Sequence, residues 1–308
     1  MHRTIEIITP ASYTNELIRE LEDLEQVISL NVVREGAVKP PGDVLTVHVL
    51  NYGADEVMRL ADAGRQHGHI SVSTGELTSI VDPEHEHKVA NDVDEALWEE
   101  AETGLRHQSR TTANYLLLMA LGGVVGASGL VMEGTSQAIA FVAASIIAPG
   151  FEPIAKIPMG LALRRWDVAR RGLTSALVGY LALVLSAALV FVLLFVTDVV
   201  AVEEFTDNPE VQTLADPTLR EILVSASGAV AGMVMILSYR EYLVPGALIA
   251  LEIIEAAAMI GVGLVAGEPA LALAGAGRFG LDVLFIVAGG VLVVLLKQTL
   301  FHRRAPMV

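Results

Sequence analysis

Residues 137–163 read QAIAFVAASIIAPGFEPIAKIPMGLAL. Apart from Glu152 and Lys156 the run is uncharged, and it exceeds the ~20 residues that an α-helix needs to cross a bilayer. Its centre, Ala148-Pro149-Gly150-Phe151-Glu152-Pro153, is a poor helix interior, because each proline lacks a backbone donor and crowds the preceding turn. Irregular backbone at membrane depth persists only where protein or a watery cavity receives it. The stretch therefore predicts a broken membrane segment with a carboxylate near mid-span, where a charge costs roughly 2.5–3.5 kcal/mol.

Five other apolar stretches follow the same logic: 111–132, 172–197, about 222–239, about 242–267 and about 279–296. The stretch 242–267 contains Glu252 and Glu255, and 279–296 has Asp282 near its start and Lys297 at its end. They predict an all-α polytopic membrane domain of about six helices over residues 111–297, multi-pass in the cell membrane, with the lipid bilayer as its first partner. Basic residues fall in alternate connections: Arg106 and Arg110, then Arg164, Arg165, Arg170 and Arg171, then Arg240, then Lys297, Arg303 and Arg304. The excess of positive charge on cytoplasmic loops places both termini, including a tail of 298–308, in the cytoplasm. Trp166 is expected in a cytosolic loop, and the acidic loop 198–221 and Arg278 on the outer side.

The charges inside the spans are the candidate substrate- or ion-binding residues: Glu152, Lys156, Glu252 and Glu255, with Pro149 and Pro153 shaping the break. Lys156 lies four residues after Glu152, the favourable order for a helical ion pair. Glu252 and Glu255 share a face if their helix is regular, and no base is expected beside them. These groups can bind a cation or carry a proton; the competing reading is charge neutralisation and subunit packing. Glu152 precedes Gly160, and Glu255 precedes Gly263, by the same interval. Ala127-Ser128-Gly129 recurs as Ala226-Ser227-Gly228. Three spans starting inside and three starting outside give a 3+3 inverted repeat, as in many secondary transporters; coincidence among small residues is the alternative. Gly122, Gly126, Gly129, Gly228, Gly232 and Gly289-Gly290 suit close helix packing or a dimer face.

Ahead of the spans lies a different kind of chain. Residues 1–110 hold 21 Asp and Glu against 9 Lys and Arg, a net of −12; the remainder carries −4 of the total of −16. Such an acidic head repels phosphate backbones, so no nucleic-acid partner is expected. Only four of the 20 basic residues are Lys, a halophile-like composition. No apolar leader opens the chain, so no secretory signal is expected. Apolar patterning predicts strand, helix, strand, strand, helix, strand: Ile5 to Ile8, Leu17 to Leu24, Val27 to Val33, Val44 to Leu50, Val57 to Ala61 and Ile70 to Ile80. Two βαβ halves of this length give a cytosolic ferredoxin-like βαββαβ domain over 1–88, so the fold class is an α+β soluble head followed by the membrane helices. A linking helix over 89–110 carries Trp98 as a membrane-surface anchor, or packs on the head. His67/His69 and His85/His87 are each spaced as alternate residues, which share a face on a strand, and are weak metal candidates without a third ligand fixed by spacing. Solvated polar surface is their other reading.

With zero cysteines, disulfides, iron–sulfur clusters and thiol nucleophiles are excluded. The glycine-rich stretch 263–280 lacks a phosphate-loop Lys-Ser/Thr. No catalytic constellation and no cofactor motif is present.

Ile146-Ile147-Ala148-Pro149 with Pro153, followed by Gly160-Leu161-Ala162-Leu163, resembles the uncharacterised hydrophobic-domain membrane protein family, domain of unknown function 389. Leu243-Val244-Pro245-Gly246-Ala247 with Ile249-Ala250 looks like its second signature. The resemblance covers about 111–297 and implies membrane placement, without a substrate or reaction. Glu152, Lys156 and Glu252-Ile253-Ile254-Glu255 stand where that family carries small or apolar residues. The leading reading is a transporter or channel for a small ion or solute, regulated by the head and acting as a homo-oligomer. A non-transporting membrane sensor or scaffold is the alternative, and a lipid-modifying enzyme the weakest.

Overall fold

The computed structural model describes residues 2–238, 251–302 and 304–307. The expected signature at 243–250 and the basic residues Arg240 and Arg303 lie outside the described residues. The chain divides into two compact units. One contains residues 1–101 together with the last dozen, from Lys297 on; the other contains 102–236 and the helices up to Leu296.

The head unit runs β1 (His2–Thr9), α1 (Ala11–Glu22), β2 (Val27–Val38), β3 (Pro41–Val49), α2 (Ala54–Ala63) and β4 (Ser71–Leu77). Strand order is β2-β3-β1-β4, with every neighbour antiparallel. Ile5 and Ile7 alternate along β1 as Leu45, Val47 and Val49 do along β3, so one face of the sheet is apolar. Leu17 and Leu21 of α1 and Val57, Leu60 and Ala61 of α2 cover it. At roughly 25 cal/mol per Å² of apolar surface removed from water, this shared face is the main stabilising term of the unit. Asp43 fixes the β2–β3 end: it accepts from the Glu35 N–H (2.7 Å), Thr14 Oγ1 (2.7 Å) and Arg34 Nη1 (3.0 Å). The Glu35 N–H, helped by Thr14 and Arg34, holds the Asp43 carboxyl below the ordinary range.

Instead of one linking helix over 89–110 there are two, α3 (Glu86–Ala90) and α4 (Trp98–Gln108), separated by non-helical chain. The interruption is stabilised locally. Asp92 Oδ2 accepts from the Asn51 N–H (2.7 Å), and the Asn51 side chain donates to the carbonyls of Val93 and Glu95. Trp98 is fully buried and lies 4.9 Å from the His302 ring, so it is a core residue of the head rather than a membrane-surface anchor.

The tail, expected as a simple cytosolic end, packs into this unit. Arg304 reaches both Glu99 oxygens at 2.6 Å and Asp55 Oδ1 at 2.6 Å, while His302 Nδ1 lies 2.7 Å from Asp55 Oδ2. Burial opposes ionisation of Asp55 and Glu99, but His302 and Arg304 outweigh it at Asp55, and Arg304 with the Met307 N–H at Glu99, holding both carboxyls below their ordinary values. Carboxylates lowered on folding contribute stability that is complete above their unfolded values near 3.8 and 4.5 and is lost as pH falls through the lowered folded ones. The expected outcome is a tail resistant to an acid-active carboxypeptidase at pH 6 and digested increasingly as pH falls below 3.8, towards the lowered folded values. Arg304→Ala should make it sensitive at both pH values, since breaking a buried pair costs about 3 kcal/mol.

In the membrane unit, α5 (Ala113–Gly129), α6 (Gly134–Ile147), α7 (Phe151–Ala162), α8 (Trp166–Val196), the short α9 (Val202–Thr206) and α10 (Pro209–Ala215), α11 (Leu219–Ile236), α12 (Ile253–Ala266) and α13 (Pro269–Leu300) follow in order. Among the described residues three helices, α8, α11 and α13, are long and apolar enough to cross a membrane alone. Counting the bent pairs α4–α5 (69°) and α6–α7 (51°) as single spans raises this to five, and α12 is a shorter apolar helix. Trp166, expected in a loop, starts α8. The loop 198–221 is partly helical, held by Asn208, whose side chain caps α10 and bonds Gln137 and the Met132 carbonyl.

Candidate functional site

The break expected in 137–163 is at Ala148-Pro149-Gly150, between α6 and α7. Ala148 leaves the helix with extended backbone, and Pro149 has no N–H to satisfy. The Gly150 carbonyl accepts from Tyr180 Oη at 3.2 Å. A Cβ here would sit 2.6 Å from Tyr180 Oη and 2.8 Å from Ile254 Cδ1, so any larger residue requires those side-chain tips to move. Pro153 lies in the first turn of α7, where backbone donors have no intrahelical acceptor, so the helix accommodates it.

A second irregularity precedes α12. Glu252 has left-handed backbone (φ 54°, ψ 19°), a conformation that costs a non-glycine residue of order 1 kcal/mol or more. Glu152 and Glu255 therefore occupy matching places, each in the first turn of the helix after a break, where the helix dipole favours an anion. The match extends further. A Cβ on Gly160 would lie 2.5 Å from the Ala169 nitrogen, and one on Gly263 2.7 Å from that of Ala272. One on Gly172 would touch the Pro153 carbonyl and Lys156 Cβ, and one on Gly275 the Ala256 carbonyl and Met259 Cβ. In every pair the second residue is 103 positions after the first, as Glu255 is after Glu152. The Ala-Ser-Gly triplets do not share this frame: 127–129 end α5, whereas 226–228 lie in the middle of α11.

Glu152 and Lys156 are both buried but do not form the expected ion pair; they line different cavities. Glu152 opens on a cavity of about 620 Å³ with Asn114, Tyr115, Ser145 and the backbone of the break. Ser145 Oγ also donates to Glu255 Oε1 at 3.2 Å. Glu255 is 2% exposed, and its second oxygen has no hydrogen-bond partner among the described residues. Glu255 thus reaches the cavity through Ser145, while Glu152 faces it directly.

Glu252 does not share a face with Glu255, since the left-handed turn sends it elsewhere. Its Oε2 lies 3.1 Å from Arg278 Nη2, which also donates to Ser225 Oγ at 2.6 Å. Arg278 Nε lies 3.5 Å from Asp282 Oδ2, four residues on along α13. Arg278 and Asp282 are both buried. The expectation that no base stands near Glu252, and that Arg278 belongs to an outer loop, is therefore overturned. Arg278 is a residue of α13, and the interval to Asp282 was the only signal of it in the sequence. Among the described residues, Glu252, Glu255 and Asp282 together carry three carboxyls against one guanidinium. Such an excess in a low-dielectric interior favours protons or a cation.

The four histidines expected as weak metal candidates, His67, His69, His85 and His87, are not on strands. His67 closes a 3-10 turn and stacks on Tyr13 at 4.8 Å, whereas His69 is exposed in the irregular chain between that turn and β4. The reversal at Gly68 (φ 149°) separates them, so the alternation of a strand does not bring their rings to one face. His85 lies 3.0 Å from Asp82, just before α3, and His87 is exposed within α3. Residues two apart on a helix do not face each other, so this pair does not converge either. Among the described residues no group of three His, Cys, Asp or Glu is arranged to hold a metal ion, and His69 and His87 are solvated surface groups.

Residues 145–288 match the family model described as Domain of unknown function (DUF389), the family that the motifs around Pro149 and Gly160 resemble. No curated protein and no solved structure matches the chain.

Proposed function

Taking the DUF389 match over 145–288 as premise, we propose that this chain conducts a proton or a small cation across a membrane, under control of its head. The observation that carries the reading is Glu255. It is a buried carboxylate at a helix break with one oxygen that has no hydrogen-bond partner among the described residues, joined by Ser145 to a cavity that Glu152 also lines. A carboxylate at such depth costs several kcal/mol unless it is protonated or meets a cation, a donor or water. The common interval of 103 residues supports two three-span repeats of opposite orientation, with the site where they meet. On this reading the chain spans six times, and both termini are cytoplasmic. The βαββαβ order and the strand order β2-β3-β1-β4 support a ferredoxin-like regulatory head.

The experiment is flux into proteoliposomes of the full chain, with a pH-sensitive dye and, separately, a metal-cation indicator inside. Saturable uptake above that of empty liposomes is the expected result. If neither probe moves, conduction is wrong and the sensor or scaffold reading takes its place.

A further inference from the structure

A second cavity in the membrane unit, of about 660 Å³, has a different character. Its ten lining residues are all polar: four Arg or Lys, one His and five hydroxyl-bearing side chains, with no carboxylate among them. Arg106 comes from α4, Arg110 from the turn after it, Lys156 from α7 and Arg171 from the start of α8. Three separate stretches of sequence thus aim positive charge into one space.

Lys156 is the telling residue. It is 4% exposed, and no hydrogen bond or ion pair joins it to another described residue. Neighbouring acids are engaged elsewhere: Glu102 with Arg165 at 3.4 Å, and Asp167 with Arg165 at 3.5 Å and Arg171 at 4.0 Å. Water reaches the Lys156 ammonium only through the cavity, and an ammonium largely buried without a counter-ion is unfavourable, the more so beside other positive groups. An anion entering the cavity supplies that counter-ion. Arginine forks suit the oxygens of a phosphate, and lysine adds a compact point charge. The hydroxyls of Thr111 and Ser175, 3.2 Å apart, border the same space and offer further polar contacts.

We propose that this cavity binds a phosphate group, with Lys156 as the central cation and Arg106, Arg110 and Arg171 around it. The group belongs either to an anionic lipid or to a soluble phosphate. This cavity adjoins the one that Glu152 lines and shares His107 and Arg110 with it, but neither Glu152 nor Glu255, on which the conduction reading rests, is in its lining.

The test uses the purified full chain and follows thermal unfolding. Inorganic phosphate is titrated in phosphate-free detergent against chloride of equal ionic strength. In parallel, nanodiscs of phosphatidylglycerol are compared with nanodiscs of phosphatidylcholine. The expected result is saturable stabilisation by at least one of the two probes. Its apparent affinity should fall about tenfold or more in Lys156→Met and in Arg171→Gln, the loss of one charged hydrogen-bonding partner. A response to inorganic phosphate identifies a soluble ligand, and a response to phosphatidylglycerol alone identifies a headgroup. Arg171 is exposed, so its variant tests the site even if Lys156→Met does not fold. Stabilisation that chloride matches, or that both variants retain in full, would overturn the proposal.

Discussion

Glu255→Gln should lower flux in proteoliposomes roughly 10- to 100-fold while the protein still folds and inserts, the factor expected from losing a charged hydrogen-bonding partner. Gln keeps the shape of the side chain and can still accept from Ser145 Oγ, 3.2 Å away in the wild type. It cannot hold a proton or offer a charged oxygen to a cation. Packing alone predicts another outcome. If Glu255 serves only to fill the space between α12 and α6, flux is unchanged, or assembly fails. Glu152→Gln provides the contrast. Because Lys156 makes no ion pair with Glu152 and lines the adjoining cavity, neutralising Glu152 does not strand it, and the variant is expected to fold. Flux measured in Glu152→Gln then reports on the cavity, since this carboxylate faces it directly.

The second large effect is on stability. Arg278→Met should destabilise the membrane unit by about 3–5 kcal/mol, read as a lower thermal-unfolding midpoint in detergent. Arg278 is the guanidinium bonded to Glu252 and to Ser225 and facing Asp282. Without it, Asp282 is left fully buried and Glu252 part-exposed, with no countercharge among the described residues. Neutralising one of them should recover part of the loss, so Arg278→Met with Asp282→Asn is expected to unfold at a higher temperature than Arg278→Met alone. If the double variant is the less stable of the two, the charges are independent and the network is mistaken.

Much of this was legible in the chain. The period-2 pattern of Ile5 and Ile7 and of Leu45, Val47 and Val49, with helical stripes through Leu17, Leu21, Val57 and Leu60, specifies the order of strands and helices in the head. The apolar runs specify membrane-like helices, because their length and lack of charge leave few other solutions. Pro149 next to Gly150 marks the break, since neither suits a helix interior.

Tertiary structure decided the partners. Ser145 and Glu255 are 110 residues apart, Glu252 and Arg278 26, and Asp55 and Arg304 249, so no local spacing announces these contacts. The i to i+4 interval of Glu152 and Lys156 suggested a pair, but that interval sets only which side chains are near one another on a helix. The cavities flanking α7 draw the two apart, Lys156 towards Arg106 and Arg171 and Glu152 towards the break. For Glu252 and Glu255, one left-handed residue at 252 separates side chains that a regular helix would have placed on one face. Sequence thus determined the elements, through periodicity and backbone chemistry that act over a few residues. The pairing of buried charges was settled only by packing, because each one takes the neighbour that offsets its desolvation, wherever in the chain that neighbour lies.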